Sequence, residues 1–350
     1  MPAWMASLLT NPAIVAALVG ASASLLVMFF TPIRNRTLER LKSELADISA
    51  SRSARRDYEY EARKRLYQEI EPLLFQLHEA AEEAFYRVKS LARTARKGKL
   101  HWLARKRYYL RSTVHKLLLP AVLLRIVQRQ MTFVDLRVDD TIQVKYYLMK
   151  LYAYSFTDDF DIAALIKQEP PFEYEPDDAT AEKIESDPAG HIRQGLYVGT
   201  VENATDAMIK ESDLGGRKNL RPVTFGEFWH AIAIGRSTPT YLTDVVDLYC
   251  NFDDRTNPVL AHMLHAQGCI AKLILAAFEP SLQGRSLHHA LTAFLSSAEF
   301  QKDFEWSEGK RPDAHLVLAY IETSFRKISG RELQAVICGG SSRSPEKQAA

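Results

Sequence analysis

A chain of 350 residues, 47% hydrophobic and 25% charged, holds enough apolar material for one large or two modest domains. Its formal net charge of +2 excludes a function carried by uniformly polybasic or polyacidic character. Three cysteines (Cys250, Cys269 and Cys338) show no paired spacing, which excludes a disulfide framework and points to a reducing compartment.

The first element is apolar. No charged side chain occurs from Pro2 to Ile33, and Ala13–Phe30 is apolar or small throughout. A bilayer core of ~30 Å needs about 20 such residues in a helix, so residues 1–33 read as a single transmembrane anchor. A cleaved secretory signal fits less well, because Met1–Asn11 has no Lys or Arg and the apolar run continues past the small-residue site Ala21-Ser22-Ala23. Arg34, Arg36, Arg40 and Lys42 follow on the C-terminal side only. The positive flank stays in the cytoplasm, so a single-pass topology with a cytoplasmic C-terminal body is expected.

Residues 34–65 read as a juxtamembrane helix, with Leu38, Leu41, Leu45 and Ile48 forming an a/d seam two heptads long. Residues 66–167 read as a helical domain. Its first stripe is Leu66, Ile70, Leu73, Leu77, Ala81, Ala84, Val88 and Leu91, with Pro72 a kink or restart and Gly98 a break or cap. Helical patterns resume at 100–115, 117–130 and 141–154, and Phe133–Val138 is the best strand candidate. Residues 168–190 hold four prolines and eight acids, the composition of a linker. A second helical domain is expected over 191–337, with helices near 192–210, 224–234, 240–251, 258–278, 286–294 and 313–327. A polar tail over 338–350 is expected to be disordered. The fold class is all-α.

Charge is unevenly distributed. Between Ala84 and Val134 there are thirteen Lys and Arg and no acid, whereas Asp135–Asp187 carries fourteen acids against five bases. Within the basic stretch Arg93, Arg96, Lys97, Lys99, Arg105, Lys106, Arg107 and Arg111 interleave with Trp102, Tyr108 and Tyr109. Cations among aromatics suit an anionic membrane surface, where each cation contributes about 1 kcal/mol, and they also suit nucleic acid. The alternative is a solvated face paired with acids of the same chain, Asp158, Asp159 and Asp161 among them.

His262, His265 and Cys269 share one helix face, and imidazole with thiolate is zinc chemistry. No second ligand pair accompanies them, and the stripe continues to Leu273, so a packed core face is the favoured reading. The spacing of Arg255 and His262, Arg-x6-His, resembles the ribonuclease motif of the HEPN helical-bundle superfamily. That resemblance covers two residues and implies attack of an RNA 2′-hydroxyl on its phosphate. Phosphate-loop, dinucleotide-binding, His-Glu-x-x-His and Gly-x-Ser-x-Gly motifs are absent from the sequence.

The expected function is therefore that of a membrane-anchored helical interaction, scaffold or sensor protein, without a cofactor and forming a homo-oligomer. Its protein partner is not identified by sequence, and nucleic acid is not the favoured ligand. The competing readings are a membrane-anchored HEPN-like ribonuclease and a binder of anionic lipid or nucleic acid.

Overall fold

The structure, a computed structural model, describes residues 12–105, 107–130, 136–168, 194–214, 217–233, 240–250, 252–279, 285–307 and 313–336. Lys106, nearly all of the acidic 168–190 segment, the Gly215-Gly216 pair and the 338–350 tail lie outside them. The chain is predominantly helical, as the 3.6-residue periodicity predicts. It divides between Ala62 and Arg63 into two compact units.

Helix α1, Pro12–Arg96, runs through both units, so the expected juxtamembrane helix and the first stripe belong to one element. Pro12 opens it, where a missing N–H costs nothing. Pro72 does not interrupt it. Pro72 and Gln68, whose carbonyl loses a partner, are both exposed, and water can supply the missing bond. Gly98 ends the helix at φ 63°, with Gly98 N donating to Ala95 O at 2.8 Å and Lys99 N to Thr94 O at 3.0 Å. A side chain at that φ would be strained, which is why glycine serves here.

In the N-terminal unit the large apolar side chains of α1 are uncovered among the described residues. Val19, Leu25, Leu26, Val27 and Met28 are 55–74% exposed, and Leu38, Leu41, Leu45 and Ile48 are 46–65% exposed.

The second unit is a helical assembly around one core. Its stripe on α1 from Leu66 through Leu91 is entirely buried. Helix α2 follows at Tyr108–Gln130, α3 at Asp140–Tyr154 and α4 at Asp159–Leu165. Asp139 caps α3 by accepting from Thr141 N and Ile142 N at 2.9 and 3.1 Å. Beyond the acidic segment come α5 (Val198–Ala207), α6 (Phe225–Ala233), α7 (Thr240–Tyr249), α8 (Pro258–Ala276), α9 (Leu287–Leu295), α10 (Ala298–Asp303) and α11 (Ala314–Ser329).

Helix α8 packs on α3 and α4 from one side of the acidic segment and on α9 and α11 from the other. Apolar on nearly every face, it is the one helix whose described residues form a run long and apolar enough to cross a membrane, the run described on α1, Val19–Met28, being shorter. Protein covers 89% of the α8 run, so α8 is a core helix. Buried residues of 66–168 and of 194–336 line one hydrophobic core.

Two sequence expectations change at the strand level. The described part of Phe133–Val138, Leu136–Val138, is a 3₁₀ turn, and Arg63 Nε donates to the Val138 carbonyl at 3.1 Å. An antiparallel hairpin pairs β1, Ile209–Leu214, with β2, Arg217–Pro222, in register from Ile209↔Pro222 to Leu214↔Arg217. Its end is locked by a capping box. Thr224 N donates to Glu227 Oε2 at 2.8 Å and Glu227 N to Thr224 Oγ1 at 3.3 Å, while Arg221 grips the same carboxylate at 2.8 and 2.9 Å. Those bonds hold the Glu227 carboxyl well below its ordinary range, the Arg221 guanidinium contributing most.

Candidate functional site

The basic stretch folds over the end of α1, the following 3₁₀ turn at Leu100–Leu103 and the start of α2. Thr94 Oγ1 and Tyr109 Oη lie 3.0 Å apart and tie the two helices together there. Most of its cations are used inside the protein. Lys89 bridges Glu299 and Asp303 at 2.9 and 2.7 Å, Arg105 meets Asp247 at 2.8 Å, and Lys116 meets Glu83 at 3.2 Å. Arg125 and Arg129 converge on Asp206 at 2.7 and 2.8 Å.

Others lie on rings or carbonyls. Arg111, 9% exposed, has its guanidinium carbon 4.3 Å from the centre of the Trp229 ring. Lys99 lies 5.2 Å from that of Trp102, and Arg96 donates to the Lys302 carbonyl. The side chains of Arg93, Lys97 and Arg107 are exposed and pair with no described residue. Of the eight candidate cations, Arg96, Lys99, Arg105 and Arg111 thus engage other groups of the protein, these three lie at the surface, as do Trp102 and Tyr108, and Lys106 lies outside the described residues. The acids expected as partners have other roles: Asp158 accepts from Tyr320 Oη at 2.7 Å, and Asp161 pairs with Lys327 at 2.7 Å.

Helix α8 places His262, His265 and Cys269 as the spacing predicts, but in a packed interior. His265 is 2% exposed, and its Nε2 faces both Trp306 Nε1 and, at 3.1 Å, the Phe304 carbonyl. Burial, with His262 nearby, pushes its pKa well below the ordinary value, so the ring is neutral. Burial also pushes the Cys269 thiol far up. Among the described residues no group of three His, Cys, Asp or Glu is arranged to hold a metal ion.

The Arg255–His262 pair has different partners from those the ribonuclease motif implies. The Arg255 guanidinium lies on its neighbour Asp253, Nε to Oδ1 at 3.0 Å and Nη2 to Oδ2 at 2.7 Å. His262 Nδ1 lies 2.8 Å from the Pro258 carbonyl. Its ring borders a void of about 10 Å³ walled by Ile162, Leu165, Ile166, Ala266 and Tyr320, which admits no nucleotide.

A site that sequence reasoning missed lies between α2, α3 and α5. It is a cavity of about 120 Å³ over Ala121, Leu124, Ala153 and Val201, bordered by Lys150, Tyr154 and Arg125. Its residues come from three helices with no shared motif, so no local pattern could have found it. A wider cleft of about 480 Å³ between α1, α2 and the hairpin carries Glu79, Glu82 and Glu83. Comparisons with known protein families, curated proteins and solved structures find no match to this chain.

Proposed function

We propose that this chain is a membrane-anchored interaction protein that associates with a second copy of itself through its N-terminal helix. The observation that carries this reading is the uncovered apolar surface of α1, where Val19 and Leu25–Met28 are 55–74% exposed. At about 25 cal/mol per Å², leaving such side chains in water costs each helix several kcal/mol, and a bilayer removes that cost. The one-sided positive charge of the Arg34–Lys42 flank supports a body on the cytoplasmic side. Directly after it, Leu38, Leu41, Leu45 and Ile48 stand exposed at a/d spacing, a seam that a second identical helix fits. Two heptads are weak alone, but confinement to a membrane raises their effective concentration. Arg93, Lys97 and Arg107 form the face for an anionic partner, with anionic lipid favoured over nucleic acid.

Alkaline extraction of membranes carrying the full chain, combined with cysteine crosslinking at Leu41, tests both halves of the proposal. Retention in the membrane pellet and a crosslinked dimer that Leu38→Glu with Leu45→Glu removes are expected. Release into the supernatant refutes the anchor. An undiminished crosslink in the double variant refutes the seam.

A further inference from the structure

The cavity between α2, α3 and α5 takes no part in the proposed anchoring or self-association, yet it combines an apolar floor with one uncommitted cation. Ala121, Leu124 and Val201 are 2–7% exposed and form the floor. Tyr154, 40% exposed, and Val198, 56% exposed, are the large apolar side chains at its mouth. Such rings and methyl groups stay uncovered on a surface at a cost unless something lies against them.

The charges divide unequally. Arg125 is neutralised by Asp206 at 2.7 Å and Glu202 at 3.8 Å. Lys150 has no carboxylate partner among the described residues, and its ammonium is 5.8 Å from the centre of the Tyr154 ring. Ammonium and aromatic face thus border the same apolar hollow. An engineered cavity of roughly 150 Å³ accommodates benzene. A hollow of about 120 Å³ open on one side therefore has room for a single ring or a branched aliphatic group, with its charged end outside.

We propose that this hollow binds a small organic anion, an aryl or short branched carboxylate, with its apolar body on the Ala121–Leu124–Val201 floor and its carboxylate paired to Lys150. A cationic ligand of the same shape is disfavoured, since Glu202 is already engaged by Arg125 and Lys150 repels it.

The test uses the full chain in detergent micelles with 4-fluorobenzoate as probe, followed by ¹⁹F line broadening. Broadening that saturates below about 10 mM is expected, weakened about tenfold or more by Lys150→Met and restored to within about threefold by Lys150→Arg. Ala153→Phe, which fills the floor, should abolish it. If that variant loses its helical circular dichroism, the Lys150 pair still decides the matter. Equal broadening in Lys150→Met, equal broadening of 4-fluorobenzylamine, or no saturable broadening of the anion each overturns the proposal.

Discussion

At the scale of single residues, the basic stretch shows how little a charge run says about its use. Arg111 is expected to be structural. Arg111→Ala removes a buried stem and its contact with Trp229, and should cost about 1–2 kcal/mol in a denaturant melt. Arg93→Glu with Lys97→Glu should leave the melt unchanged while reducing binding to anionic vesicles. Sequence identified the cations but not this division, because the deciding acids lie 81, 142 and 210 residues away. Asp158 offers a pH test. Burial raises its pKa to about 6, against the Tyr320 hydrogen bond that lowers it. The folded state therefore keeps a proton that the unfolded chain has lost between about pH 4 and pH 6. Stability from this group is fully present below that window and is lost as pH rises through it. Asp158→Asn keeps an acceptor for Tyr320 and removes the titration. The variant should gain on the wild type by on the order of 2 kcal/mol between pH 4 and pH 7. A constant difference across that range would place the cause elsewhere.

At the scale of elements, periodicity was legible wherever a helix has one dry face and silent where bonding replaces burial. The Leu66–Leu91 stripe could be read residue by residue because each apolar position faces the core. The hairpin could not, because IKESDL and RKNLRP hold few apolar residues and are secured by Arg221, Lys210 and the Thr224–Glu227 box. Close helix packing was likewise invisible in sequence. At Gly268 an added Cβ would lie 2.5 Å from Phe304 Cε1 and 3.3 Å from Val88 Cγ1, so α8 approaches its neighbours without room for a methyl group. Phe304 cannot yield easily, stacked on Phe300 at 5.1 Å and flanked by Phe85 at 5.7 Å and Phe294 at 5.9 Å. Gly268→Ala should therefore destabilise by about 1–3 kcal/mol despite its better helix propensity. Gly226→Ala, whose Cβ would meet only Thr224 Oγ1 at 4.0 Å, should be neutral or mildly stabilising. Comparison of the two melts separates packing from propensity.

At the scale of the whole chain, connectivity across residues 169–193 matters more than their composition. Helix α8 contacts α3 and α4, and α5 contacts α2, so neither flank can complete its core alone. Polar links follow the same course: Lys327 to Asp161 at 2.7 Å, Lys89 to Asp303 at 2.7 Å, and Tyr320 to Asp158 at 2.7 Å. Exposed pairs among these contribute little each. The shared apolar surface contributes more, since removing one partner strips cover from both. A body spanning residues 63–336 should therefore melt in one cooperative transition with matching calorimetric and van't Hoff enthalpies. Fragments 63–168 and 194–336, expressed separately, should lack a cooperative melt, because each would expose the face that the other buries. Mixed, they should recover helical signal and a concentration-dependent transition, as pieces of one core do. Two independent melts from the separate fragments would instead make 168–190 a true linker, and the body two domains resting side by side.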